Sequence, residues 1–253
     1  MECFIVEKED VDIDRGELIL TGDEAHHALR SLRIQIGEQL LATDLFGISY
    51  SCKLKSHSSG AKGSELKAIC SIEEILPEFG EPKRNVLLIQ GLISQPSRWE
   101  FLLEKATELG ANIIQPVTTE RTERESFNRE RSDRILRAAV KQTKRSRIPE
   151  LREISSLETA LTDSIKEGRM VVMLHESVVR GLPSLHTKLI AGTALLQKEF
   201  DGGEPIAIAV GPEGGFSEDE VKAVSSSGAK IVSLGPRRLR AETAAIAVLA
   251  LLI

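Results

Sequence analysis

Ile206-Ala-Ile-Ala-Val210, Gly211-Pro212-Glu213-Gly214-Gly215-Phe216 and Ser217-Glu-Asp-Glu220 follow one another without a break, and their reading decides the fold. Five apolar residues with β-branched members fit a strand buried on both faces. Gly-Pro-Glu-Gly-Gly cannot continue that strand, and Ser217 with Glu220 three residues on is the capping-box pattern that opens a helix. The pattern then recurs: Lys230-Ile-Val-Ser-Leu234 reads as a strand, Gly235-Pro-Arg-Arg-Leu-Arg240 as a loop, and Ala241 to Ile253 as a helix. In an α/β sheet such strand-to-helix turns gather at the carboxyl ends of the strands, where ligands bind. The active site is therefore expected here.

Upstream, the same alternation extends back to residue 85. Asn85–Gln90, Ile113–Val117 and Met170–Leu174 read as strands. Pro116 suggests an edge or a strand end. Helices are expected from a Ser97-x-x-Glu100 cap to Gly110, over roughly 130–144, from a Ser155-x-x-Glu158 cap to Gly168, and over 185–196. A mostly parallel sheet is the economical reading.

Residues 1–76 have a different texture. Short β-type runs at Phe4–Val6, Glu17–Leu20, Gln39–Thr43, Ile48–Cys52 and Leu66–Cys70 enclose one helix with a Thr21-x-x-Glu24 cap, which suggests a small β-barrel. Ser56–Ser64 reads as a polar hairpin tip. Residues 77–84, with two prolines, one glycine and four charges, read as a linker between a domain over 1–76 and one over 77–253.

Composition excludes several classes. Hydrophobic residues at 41% and charged residues at 28% describe a globular protein. Cys3, Cys52 and Cys70 have no Cys-x-x-Cys spacing and no even count, which argues against a disulfide framework and a structural zinc. No window approaches the roughly 18 apolar residues of a membrane span, so the expectation is a cytoplasmic protein with neither membrane nor metal. His26, His27, His57, His175 and His186 show no ligand spacing. The net charge of −5 gives no bulk attraction to nucleic acid, yet Arg121 to Arg152 holds eleven Lys or Arg against five Asp or Glu, a local excess of 6. Within it Arg134, Arg137, Lys141 and Lys144 share one helical face, and Arg145 and Arg147 continue the basic run. That face is either an RNA footprint or simply the solvated side of a helix. One Tyr and one Trp argue against a row of stacking aromatics.

Gly211–Gly215 is neither a Walker A loop nor Gly-x-Gly-x-x-Gly. A carboxylate at Glu213 between glycines faces solvent or a cationic ligand. Arg237, Arg238 and Arg240 beside Gly235 are either solvated or hold phosphate or a carbonyl oxygen. Glu242 and Thr243 either orient Arg240 or merely decorate a helix start.

Taken together, Gly211-Pro-Glu-Gly-Gly-Phe-Ser-Glu-Asp-Glu220 and Leu234-Gly-Pro-Arg-Arg-Leu-Arg-Ala-Glu-Thr-Ala244 resemble the small-subunit ribosomal RNA methyltransferase E family of the SPOUT superfamily. Glu104-Lys-Ala-Thr-Glu-Leu-Gly110, Glu120-Arg121, Gln142-x-x-Arg145, Ile148-Pro149, Leu174-His-Glu176 and Leu32-Arg33 extend the resemblance along nearly the whole chain. It implies a PUA-like RNA-binding barrel, then an α/β domain with a C-terminal trefoil knot, working as a homodimer through the knot region. It also implies S-adenosyl-L-methionine as cofactor. The donor would be held by Leu174, His175 and Glu176, by Gly211, Pro212, Glu213, Gly214 and Gly215, and by Leu234, Gly235, Pro236, Leu239, Glu242 and Thr243. The implied partner is 16S rRNA or the small ribosomal subunit, and the reaction is methylation of uridine N3. Arg240 is the catalytic candidate, since it would quiet the charge of a forming uracil anion. Glu213 is either general base or a contact for the donor's amino group. Arg30, Arg33, Arg121, Arg137, Lys141, Lys144, Arg145 and Arg147 would contact RNA. Glu2, Gln95, Lys141 and Arg238 depart from the family pattern. A non-catalytic RNA-binding assembly factor of the same fold is the rival, separated by whether the chain binds the donor.

Overall fold

The computed structural model describes residues 1–58, 66–175, 203–235 and 237–252. Contacts divide the chain into two units, Met1–Glu81 with Arg137–Ile148, and Pro82–Leu136 with Pro149–Ile253.

The first unit is a six-stranded curled sheet. Its strands are β1 (Cys3–Ile5), β2 (Val11–Asp12), β3 (Glu17–Leu20), β4 (Gln39–Thr43), β5 (Ile48–His57) and β6 (Ala68–Pro77), in the order β1-β4-β5-β6-β3-β2. Only β1 and β4 run parallel; the other pairs are antiparallel. Phe4, Leu18, Leu20, Leu40, Tyr50 and Leu54 fill the core. Helix α1 (Gly22–His26) continues as a π-turn over His27–Ser31. Thr21 occupies its N-cap but makes no capping hydrogen bond; its hydroxyl turns to Asp10 at 3.4 Å. Glu78 pairs with Arg147 and Glu81 with Arg145, which ties the segment after β6 into this unit. Residues 59–64 of the expected hairpin tip lie outside the described residues.

The second unit carries β7 (Val86–Gly91), β8 (Ile113–Thr118), β9 (Glu150–Leu151), β10 (Ser155–Ser156), β11 (Met170–Leu174), β12 (Ile206–Val210) and β13 (Lys230–Val232), all parallel, in the order β10-β8-β7-β12-β11-β13 with β9 also on β8. Every residue of β7 and β12 is buried, as a sheet covered on both faces demands. Helices α2 (Pro96–Glu108), α3 (Arg129–Thr143), α4 (Leu157–Lys166), α5 (Glu218–Ser226) and α6 (Ala241–Ala250) complete the described elements. Leu87, Ile89, Ala207 and Ala209 face Leu157, Leu161 and Val224 of α4 and α5, while α6 packs against α2 and β12.

Two helix starts differ from the sequence reading. Helix α2 begins at Pro96 with Gln95 as an uncapped N-cap, not at Ser97. Proline at the first helical position has no N–H to leave unpaired, so it sets the start without a polar side chain. Helix α4 is capped by Ser156, whose hydroxyl accepts from Thr159 N, because Ser155 is used in the β10 bridge to Val117. The capping box at Ser217 and Glu220 forms in full. Pro116 is not at the sheet edge. It sits where the outer side of β8 is split between β9, at Ile113–Ile114, and β10, at Val117–Thr118, so no ladder donor is demanded of it there. The expected helix over 185–196 lies outside the described residues. No described helix is long and apolar enough to cross a membrane.

Candidate active site

Strand order reverses beside β7: the chain moves out to β8 on one flank and returns to β12 on the other. Such a switch point opens a crevice at the carboxyl ends of the two strands. Here those ends are Gly91 and Val210, followed by Ile93–Ser94 and by the loop Gly211–Gly215. The packing is close. A β-carbon on Gly91 would come within 2.5 Å of Pro212 N and Cδ, and one on Gly211 within 3.1 Å of Gly215 backbone. Only bare backbone fits at Gly91, and at Gly211 a β-carbon would need the Gly215 backbone to give way by a few tenths of an ångström.

The register sets two more strand ends beside this one. β11 lies between β12 and β13, so Leu174 and Val232 end level with each other, and His175 N donates to Val232 O at 2.9 Å. The carboxyl ends of β12, β11 and β13 therefore stand side by side. Leu174 is buried; His175, Gly211, Glu213, Gly215, Leu234, Gly235 and Leu239 are half-buried; Gly214 and Thr243 are exposed. Glu176 and Pro236 lie outside the described residues.

Charged groups lock the glycine loop. Glu213 Oε1 accepts from Ser94 N (3.1 Å), Ser94 Oγ (2.9 Å) and Arg98 Nη1 (3.3 Å). Arg121 Nη1 donates to Gly214 O at 3.0 Å, and Arg238 Nη2 to Glu213 O at 3.3 Å. Arg98 also grips Glu242, Nε to Oε1 at 2.8 Å and Nη2 to Oε2 at 2.5 Å. Burial works to raise the Glu242 carboxyl. The Arg98 hydrogen bonds, its own backbone amide and the charges of Arg98 and Arg240 outweigh that and hold it below the usual carboxylate range. Arg240 is the N-cap of α6, and its side chain is exposed.

Arg98 and Ser94 were invisible to sequence reasoning. Ser94 falls in a short loop, and Arg98 finds its carboxylate 144 residues away; no periodicity in α2 announces that partner.

The anticipated RNA contacts separate by environment. Arg30 and Arg33 are exposed and line a groove of about 750 Å³ with Leu29, Ile34, Gln35, Ile36, His57, Ser58 and Leu66. Arg121 and Arg137 are exposed and Lys144 is half-buried. Lys141 is half-buried on Glu24, at 2.7 and 2.9 Å. Arg147 is held by Glu78, which raises its pKa and lowers that of Glu78. Arg145 is 2% exposed and its guanidinium is taken up by Glu81, so the side chain is an internal tie, out of reach of a phosphate. Among the described residues no group of three or more His, Cys, Asp or Glu is arranged to hold a metal ion.

The fold and this crevice define a class. The RNA methyltransferase domain model matches residues 80–253, and the RNA methyltransferase PUA domain model matches residues 20–60; the chain belongs to the RNA methyltransferase family. Its relatives narrow the placement. It is 27% identical over 251 residues to the ribosomal RNA small subunit methyltransferase E of Bacillus subtilis (strain 168), covering 96% of this chain and 93% of the relative. The ribosomal RNA small subunit methyltransferase E of Mycobacterium bovis is 29% identical over 237 residues, covering 90% and 82%. A crystal structure of a ribosomal RNA small subunit methyltransferase E from Neisseria gonorrhoeae bound to S-adenosyl methionine matches with a TM-score of 0.75 at 26% identity, covering 99% of this chain and 95% of that one. The resemblance drawn from the two C-terminal motifs, the parallel α/β sheet and the PUA-like first domain are borne out.

Proposed function

We propose that this protein transfers a methyl group from S-adenosyl-L-methionine to N3 of a uridine in small-subunit ribosomal RNA. The observation that carries the reading is the alignment of three strand ends, those of β12, β11 and β13, within a domain matched by the RNA methyltransferase model.

The residues fit such a donor. Gln90 donates through Nε2 to Gly211 O, while its Oε1 is buried beside the loop with no partner among the described residues. Glu213 and Glu242 place two carboxylates against one Arg98, a balance suited to a cationic ligand. When bound, S-adenosyl-L-methionine supplies an electrophilic methyl group on a sulfonium. Gly211–Gly215, Leu174–Glu176 and Leu234–Leu239 hold it, with Glu242 and Thr243 closing the site.

Attack by N3 requires the imide proton to leave, and the resulting charge spreads to the flanking uracil oxygens. Arg240 donates to those oxygens, which favours the transition state over the ground state. Glu213 Oε1 is saturated by Ser94 and Arg98, and Oε2 has no partner among the described residues. That oxygen receives the imide proton or binds the donor's amino group. Glu213→Gln separates the roles: lost turnover with intact donor affinity marks the base, and lost affinity marks the contact. Arg30, Arg33, Arg121, Arg137 and Lys144 steer the RNA, whose target base is flipped into the site. The chain knots around the donor site and dimerises there, with Ile246, Ala247, Leu251 and Leu252 of the apolar C-terminal segment half-exposed for the partner.

The test of the catalytic assignment is Arg240→Ala. Turnover falls on the order of 100-fold or more while donor affinity survives; unimpaired turnover removes Arg240 from the mechanism.

A further inference from the structure

Arg98 occupies an unusual place in this crevice. Pro96 fixes the first turn of α2, and the corner before it, Ser94, already spends its N–H and its hydroxyl on Glu213. The Arg98 side chain then reaches two different loops. Its Nε and Nη2 form a fork on both oxygens of Glu242, in the first turn of the helix that follows the arginine loop. Its remaining nitrogen, Nη1, meets Glu213 in the glycine loop. Fastening α2 to the domain would need only one of these carboxylates. Contact with one on each loop fixes the distance between the loops.

We propose that Arg98 is a positioning residue for methyl transfer, setting the glycine loop and the Arg240-capped helix at one separation so that donor site and catalytic arginine are aligned together. This rests on the methyltransferase reading given above and extends it to a residue that acts through Glu213 and Glu242. The geometry demands arginine. A planar fork satisfies both Glu242 oxygens and still has a nitrogen for Glu213, whereas a lysine ammonium is a point charge with no such fork. The side chains of Arg98 and Glu242 are 20% and 8% exposed, so the pair is shielded from water and its loss is felt.

The groups facing Glu242 are Arg98 from α2 and Arg240 from its own helix, with Glu213 beyond Arg98. Removing Arg98 leaves a buried carboxylate with one cation in place of two. Its ionised form becomes costly and its pKa rises. The damage therefore grows with pH, as the unpaired carboxylate loses its proton and pushes the two loops apart.

The experiment uses the full chain as Arg98→Lys, Arg98→Ala and Arg98→Ala/Glu242→Gln. Donor affinity is measured by calorimetry with S-adenosyl-L-methionine, and single-turnover methylation of small-subunit rRNA is followed from acidic to alkaline pH at saturating donor. Arg98→Ala is expected to slow transfer on the order of 100-fold relative to the parent, as a misplacement of about 1 Å at a reacting centre does. That deficit widens as pH rises, and Glu242→Gln in the same chain removes its pH dependence and recovers part of the rate. Arg98→Lys, which keeps the charge and carries the test if Arg98→Ala fails to fold, is slowed about tenfold with an unchanged melting temperature. Parent-like transfer in Arg98→Lys and Arg98→Ala overturns the proposal. So does a deficit that is equal at every pH, unrelieved by Glu242→Gln and matched by a fall in melting temperature. Absence of transfer in the parent chain instead overturns the methyltransferase reading itself.

Discussion

Arg145 and Glu81, 64 residues apart in the chain, close an ion pair at 2.7 Å between Nη2 and Oε2, with side chains 3% and 4% exposed. Glu81 Oε1 also accepts from Arg147 N at 2.8 Å. The carboxylate thus gathers the return segment Arg137–Ile148 onto the first unit. Breaking such a pair from one side leaves a buried charge without compensation, which costs about 3–5 kcal/mol. Glu81→Ala should lower the urea midpoint accordingly, whereas the same change at exposed Glu130 should leave it unmoved.

RNA affinity should follow the exposed cations instead. Alanine at Arg30, Arg33 or Arg137 is expected to weaken binding of small-subunit rRNA across sequences. Each should also make the dependence of log affinity on log salt shallower by about one unit for a lost phosphate contact. Fluorescence anisotropy over a salt series reads both effects, with the melting temperature unchanged.

The three cysteines are buried and free, and burial pushes each thiol up to about 12 from 9.0. A thiol pKa raised in the folded state contributes stability that is fully present below the unfolded value and is lost as pH rises toward the folded one. The first unit, which holds all three, should therefore weaken between pH 9.0 and about 12. Cys70→Val should reduce that alkaline sensitivity in a pH series of thermal melts. At neutral pH the native thiols should resist iodoacetamide and react once unfolded.

Gly91 tests the crevice from its floor. Alanine there would collide with backbone and ring atoms of Pro212 at 2.5 Å, so the glycine loop must move. Gly91→Ala should abolish binding of S-adenosyl-L-methionine by calorimetry while affinity for RNA persists.

Much of the second unit was legible because its strands are buried on both faces. Met170–Leu174 and Ile206–Val210 are continuous apolar runs, and the structure begins and ends them at the residues where the sequence does. Ser217 and Glu220 announced their helix because a capping box is a local device. Helix starts at 96 and 157 were misread where two polar residues competed for the cap, or where a proline did the work without one. The grouping of Arg137–Ile148 with the first unit depends on Glu81 and Glu24, partners distant in sequence. The same limit hid Arg98. Glycines and arginines at two strand ends mark where a site lies, but an ion pair spanning 144 residues leaves no periodic trace. The basic run from Arg121 to Arg152 left an RNA footprint and a solvated face both open, and the fold spends Arg145, Arg147 and Lys141 on carboxylates of its own.

Nucleoside analysis of the product distinguishes methyl transfer to uracil nitrogen from every other outcome. Small-subunit rRNA lacking the modification is incubated with the purified chain and S-adenosyl-L-methionine bearing a deuterated methyl group, then digested and separated by mass spectrometry. Labelled 3-methyluridine at one position is expected, formed on the order of 100-fold more slowly with Arg240→Ala. Label on a ribose oxygen or on another base, or donor that neither binds nor is consumed, would contradict it.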